Sequence, residues 1–373
     1  MKSNLSLLTV VFIGLAAISV WLTQTNVSAQ MAADRERKAL PSPTATPPVI
    51  TTSPTPKKTP AIDDPNEIIK IDTELVNLNV RVVDRNNRPI NGLTEKDFKV
   101  IEDGTPQQID FFSQSEVPTN YGIVVDNSGS MRQQLDKVIE AGKVLVNANR
   151  PDDDTMIIRF VGRDKIEIEQ EFTSNKQDLL DSMDNMFIEG GQTAVIDAVY
   201  LAVEKVSEHE KSNKLEDRKR RAIILVTDGE DRNSYYTEKQ LFDLLQESEV
   251  QIYVVGFIDE LSKDGGFISK SPQDKAKTLL EKMASESGGK AYFPKTPADL
   301  PSIARDISSE LRTQYSIGYI PSNDKHDGTF RSIKVVVNDG PGSQKRIPIT
   351  RPGRTADSNG TSSQKTTPTP VKQ

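Results

Sequence analysis

Apolar positions along this chain fall into distinct patterns. From Leu5 to Leu22 they run almost unbroken, and between 30 and 67 they nearly vanish. From Ile68 to Gln114 they recur at every second residue: Val76, Leu78, Val80 and Val82 alternate with Asn77, Asn79 and Arg81, as on a half-buried strand. A turn over Asp84 to Pro89 follows, Thr94-Glu95-Lys96-Asp97 can cap one short helical turn, and Asp103-Gly104 makes a tight turn between strands at Phe98 to Glu102 and Gln107 to Phe112. Period two returns after Gln314, through Tyr315, Ile317 and Tyr319, then Ile333, Val335 and Val337, then a short strand at Arg346 to Ile349.

Between these flanks the pattern becomes continuous apolar runs alternating with helical spacing. Strands are expected at 121–126, 155–161, 165–172, 222–226, 251–257 and 290–293. Helices are expected at 131–149, 175–187, 194–209, 238–248, 273–287 and 298–312. Only Gly162-Arg163-Asp164 separates the second and third strands, so they form an antiparallel hairpin in an otherwise parallel sheet. The fold class is α/β: a doubly wound, mostly parallel sheet with one antiparallel edge strand. Residues 68–115 are too few for a robust core of their own. They are expected to join 313–351 in a small β-sandwich-like domain, with 116–312 inserted between them.

The ends carry other signals. Lys2, the apolar stretch and Val27-Ser28-Ala29 before Gln30 make residues 1–29 a signal peptide or an amino-terminal anchor, since the run just reaches the ~18 residues that span a membrane. Residues 30–67, rich in Pro, Thr and Ser, read as an extended linker, and 352–373 as a disordered tail. The remainder is expected to be secreted, periplasmic or in the cell envelope, with membrane attachment only if the first segment is retained.

Composition narrows the chemistry. In 373 residues there is no cysteine, which removes disulfides, thiolate metal sites, cysteine nucleophiles and lipidation of a cysteine. Two histidines, His209 and His326, leave little for zinc or Ser-His-Asp chemistry; His209 is expected exposed on a charged helix end. A net charge of −7 gives no reason to expect nucleic-acid binding, and the basic run from Lys211 to Arg221 reads as a solvated connection.

Candidate chemistry gathers where strands end. After Tyr121-Gly122-Ile123-Val124-Val125 comes Asp126-Asn127-Ser128-Gly129-Ser130, at the carboxyl edge of the sheet, where open α/β folds place ligands. Alternation can aim Asp126, Ser128 and Ser130 at one point, and three hard oxygens suit a hard cation such as Mg²⁺. Gly190-Gly191-Gln192-Thr193 precedes a helix, and Thr227-Asp228-Gly229 follows the fourth strand. Taken singly, each of these is also an ordinary helix cap or turn.

Together, in these strand and helix slots, they resemble the von Willebrand factor A domain, a Rossmann-like fold, over the whole central block. That resemblance implies a metal-ion-dependent adhesion site at Asp126, Ser128, Ser130, Thr193 and Asp228, occupied by Mg²⁺, with Mn²⁺ and Ca²⁺ as alternatives. More narrowly, Leu93-Thr94-Glu95-Lys96-Asp97-Phe98, the Tyr315-Ser316-Ile317-Gly318-Tyr319 stretch and Gly328-Thr329-Phe330-Arg331-Ser332-Ile333 resemble a secreted bacterial group related to that domain and abundant in Acidobacteria. That group closes on Arg-x-Gly-Tyr, whereas this chain reads Arg351-Pro352-Gly353-Arg354.

The implied function is an extracytoplasmic, metal-dependent protein-binding module for adhesion or assembly, not an enzyme, in which an Asp or Glu carboxylate of a partner completes the metal shell. Two rivals remain at this level. One is a phosphatase-like hydrolase using Asp126, although an Asp-x-Asp opening would put an acid where Ser128 stands, and no Gly-x-Ser-x-Gly elbow or P-loop signature is present. The other is a domain that keeps the fold without using metal.

Overall fold

The computed structural model describes residues 75–114, 117–209, 219–264 and 270–356. The expected signal or anchor at 1–29 and the linker at 30–67 lie outside the described residues. Contacts divide the chain after Ile69, and everything below concerns the unit from Lys70 onward. Among the described residues no helix is long and apolar enough to cross a membrane.

The central sheet has six strands. In chain order they are β5 (Thr119–Asp126), β6 (Asp154–Phe160), β7 (Ile166–Thr173), β8 (Arg220–Thr227), β9 (Gln251–Gly256) and β10 (Lys290–Tyr292). Their spatial order is β10-β9-β8-β5-β6-β7, parallel throughout except for the antiparallel β6–β7 pair at one edge. Every residue of β5 is buried, as are those of β9, which explains their unbroken apolar runs: helices cover both faces. On one face α1 (Leu135–Ala148), α2 (Lys176–Asp184) and α6 (Leu300–Arg312) pack through Leu145, Met183 and Ile307. On the other, α3 (Val195–Glu208), α4 (Glu238–Glu247) and α5 (Pro272–Glu286) pack through Val199, Leu241 and Leu280. A Cβ on Gly142 of α1 would come 2.2 Å from Met183 Cε, so α1 and α2 approach as closely as they do only because that position lacks a side chain.

The flanks form two further four-stranded sheets. Before the central block come β1 (Val76–Val83), β2 (Phe98–Glu102), β3 (Thr105–Gln107) and β4 (Phe111–Ser113). After it come β11 (Tyr315–Tyr319), β12 (Phe330–Val337), β13 (Ile347–Ile349) and β14 (Gly353–Thr355). One sheet runs β13-β1-β11-β4, the other β14-β12-β2-β3, so each mixes strands from both ends of the chain. Leu78 faces Ile317 across β1–β11, and Val100 faces Val335 across β2–β12. The inward residues of both sheets share one core, with Phe98 and Tyr315 rings 5.0 Å apart.

Several expectations are corrected here. The tail assigned to 352–373 begins inside a sheet: β14 pairs with β12, and the buried Arg354 Nε donates to Glu102 Oε2 at 3.1 Å. Glu102 is also held by the Tyr319 hydroxyl at 2.6 Å, so a polar, three-residue strand is fastened by charge instead of apolar surface. The single strand read at Gln107 to Phe112 is two, β3 and β4, in different sheets, because the chain crosses over between them; Asp110 N–H already donates to Gly318 O. His209 is not free on a helix end: its ring stacks on Phe172 with centroids 3.8 Å apart. Arg220, read as part of a solvated connection, is buried at the first position of β8.

Candidate metal centre

At the carboxyl end of β5 the chain leaves the sheet through Asp126, whose side chain is fully buried. Both of its oxygens are engaged. Oδ1 accepts the Ser128 backbone N–H at 2.9 Å, and Oδ2 accepts the Thr227 hydroxyl at 2.7 Å. Thr227 Oγ1 in turn accepts the Gly229 N–H at 3.0 Å, which ties the end of β8 to the end of β5. Burial pushes the Asp126 carboxyl up to about 6, the nearby Asp228 charge pushes the same way, and the Ser128 and Thr227 hydrogen bonds pull against both.

Ser128 is extended (φ −66°, ψ 164°) and opens a 3-10 turn, Gly129–Gln133, that leads into α1. This conformation sets Ser128 Oγ and Ser130 Oγ side by side, 3.0 Å apart, with Ser130 exposed at the mouth. Asn127 points the other way and serves as a clasp. Its Nδ2 donates to Phe187 O at 2.6 Å, and its carbonyl accepts Glu189 and Gly190 N–H groups at 3.1 and 3.4 Å.

That clasp holds the loop that leads to Thr193. Gly190 (φ 85°) and Gly191 (φ 134°) have backbone conformations that L side chains rarely adopt, and a Cβ on Gly191 would come 2.6 Å from Val161 Cγ1. Thr193 is buried just before α3, and its carbonyl accepts Arg232 and Asn233 N–H groups at 2.9 and 3.2 Å. The loop carrying Asp228 is thereby stitched to the loop carrying Thr193. Asp228 is itself buried, and its Oδ1 accepts the Glu230 N–H at 3.0 Å.

Asp126, Ser128 and Ser130 are thus joined directly, Asp228 lies close enough to act on Asp126 by charge, and Thr193 is bound into the same loop cluster through its backbone. Sequence reasoning missed three residues that shape this cluster: Asn127, Thr227 and Asp197. Asp197 is buried on α3 and accepts Tyr235 and Tyr236 N–H groups at 2.7 to 2.9 Å, fixing the far side of the Asp228 loop. The available signal was an acid on the apolar face of a helix, between Ile196 and Ala198.

The oxygens fit a small divalent ion. On an octahedron with metal–oxygen bonds of about 2.1 Å, adjacent ligands stand about 3.0 Å apart, and the two serine hydroxyls are 3.0 Å apart. Neutral hydroxyls with two buried acids behind them suit Mg²⁺ or Mn²⁺ by softness. Beside Ser130 and Asp228 opens a groove of about 390 Å³.

Residues 122–306 match the family model described as the von Willebrand factor type A domain. The chain carries such a domain, a class typically engaged in protein interaction and adhesion. The uncharacterized protein sll0103 of Synechocystis sp. is 26% identical over 185 residues, which is 49% of this chain and 39% of that relative's length. A von Willebrand factor type A structure from Catenulispora acidiphila is similar over 76% of this chain and 75% of its own, at 12% identity and TM-score 0.43. Proximal thread matrix protein 1 from the mussel byssus, whose title describes a zinc-occupied MIDAS motif, covers 53% of this chain and 49% of its own at 17% identity and TM-score 0.41. An aerotolerance-related membrane protein from Bacteroides fragilis covers 52% and 98%, at 22% identity and TM-score 0.40.

Proposed function

We propose that this chain is an extracytoplasmic module that binds a protein partner through a divalent cation, Mg²⁺ foremost, held by Asp126, Ser128, Ser130, Thr193 and Asp228. The observation that carries this reading is the pair of serine hydroxyls set 3.0 Å apart over a fully buried aspartate. Hydroxyl ligands leave much of the ion's charge uncompensated, so an Asp or Glu carboxylate from a partner completes the shell. The chain's own residues orient the ion, and no bond is made or broken. The amino-terminal segment exports the module or anchors it outside the cytoplasm.

The hydrolase alternative is disfavoured by the same geometry. A nucleophilic aspartate has to present an oxygen to its substrate, and both Asp126 oxygens are buried and hydrogen-bonded. The test is a thermal-shift titration with Mg²⁺ on wild type and on Asp126→Asn. Stabilisation reaching about 2.7 kcal/mol at a hundredfold excess over Kd is expected in wild type and absent in the variant. Equal shifts in the two proteins would reject the site.

A further inference from the structure

We infer that the groove beside Ser130 and Asp228 is a subsite for a lysine or arginine side chain of the partner, so that the ligand is a segment pairing an acid for the metal with a base close by. The inference rests on the proposed metal-dependent binding. The groove's polar lining is dominated by acceptors. Gln134, only 4% exposed, lines it, and its Nε2 donates to Glu260 Oε1 at 2.8 Å. Its Oε1 has no hydrogen-bond partner although it is closed to solvent. The opposite amide orientation would set that oxygen against the Glu260 carboxylate, so the unmet group here is an acceptor and not a donor.

A buried acceptor left unmade costs about 1–3 kcal/mol, and a donor from outside would recover it. Glu260 is exposed, and Asp228 lines the side nearer the metal centre. The one cation along the groove, Arg232, is already paired with Glu230. The apolar parts of the lining, Met131, Phe257, Leu261 and Pro272, suit the methylene stem of a long basic side chain whose charged head reaches Glu260 and Gln134. A carboxylate in this position would face Glu260 and Asp228 and is drawn instead to the cation.

The experiment is a random peptide library displayed on phage, panned over the immobilised protein in Mg²⁺ and eluted with chelator. Enriched peptides are expected to contain Asp or Glu with Lys or Arg within a few positions. Synthetic copies should bind Glu260→Gln about tenfold more weakly, and replacing the peptide's basic residue by Ala should cost the same in wild type and nothing further in the variant. Gln134→Leu should weaken the same peptides, and unchanged melting and Mg²⁺ response in both variants exclude misfolding as the cause. Chelator-released peptides with an acid but no enriched base would overturn the subsite and leave the metal site standing. Absence of any chelator-dependent enrichment would overturn both.

Discussion

The two ends of the central sheet are built from similar residues and put them to opposite uses. At the amino end, Arg220 opens β8 and donates to Leu311 O, Gln314 O and Ser316 Oγ at 2.5, 2.8 and 3.3 Å. Asp153 accepts Thr119 and Arg150 N–H groups, both at 2.8 Å, and Glu310 takes both Arg81 and Lys290. Most of these contacts cross between the central block and the β-sandwich, and the principal charges meet opposite charges or carbonyls. At the carboxyl end the acids stand over hydroxyls, Asp228 raises the Asp126 carboxyl instead of relieving it, and no basic side chain neutralises them. Buried charge matched by partners makes a joint, whereas buried charge left unmatched invites a cation.

The comparison can be broken most forcefully at the joint. Arg220→Ala strands three acceptors in a buried seam and should cost about 3–5 kcal/mol in denaturant unfolding. The Mg²⁺-induced shift of the remaining folded protein should persist; a mild loss of stability would mean that the amino end is a wet, loosely held contact.

At the carboxyl end the charge imbalance should be readable as a pH dependence in chelator. The Asp126 carboxyl is raised from 3.8 to about 6 on folding, so between those values the folded state holds a proton that the unfolded state has lost. Stability of the metal-free protein should therefore fall as pH rises from about 4 to about 6, by on the order of 3 kcal/mol. Asp126→Asn should flatten this segment of the profile, and an unchanged slope would show that other groups produce it.

Smaller effects sharpen the same contrast. Gly191→Ala places a Cβ against Val161 at a φ of 134° and should cost about 1–3 kcal/mol while weakening Mg²⁺ binding, because the Thr193 loop must shift. Melting temperature and Mg²⁺ titration on one sample would check both. Ser130→Ala, at an exposed position, should leave folding within about 0.5 kcal/mol of wild type yet weaken Mg²⁺ roughly tenfold, about the worth of one lost ligand hydrogen bond. A large loss of fold stability would assign Ser130 a structural role.

Legibility in the sequence followed burial. β5, β8 and β9 were plain as runs because both faces are covered, and the β6–β7 hairpin was plain because three intervening residues permit nothing else. β14 was not, since its Arg354 is fastened to Glu102, a partner 252 positions away. Arg220 likewise looked like part of a charged connection, because only the fold supplies the carbonyls that bury it. Within the candidate centre, Asp126, Ser128 and Ser130 stood out through their spacing. The roles of Asn127, Thr227 and Asp197 did not, because each holds a loop that is distant in sequence.

By itself, then, the chain's sequence determined a mostly parallel sheet with one antiparallel edge and acids and hydroxyls at its carboxyl end. Those properties are local: the period of apolar residues and the oxygen types that follow each strand. Only the tertiary structure decided that Asp126 is sealed from solvent with both oxygens engaged, that Gln134 keeps an unmet acceptor beside Glu260, and that the amino end is closed by Arg220. The physical reason is that burial, hydrogen-bond satisfaction and charge balance depend on what the rest of the chain brings alongside a residue, and no spacing along the chain records that.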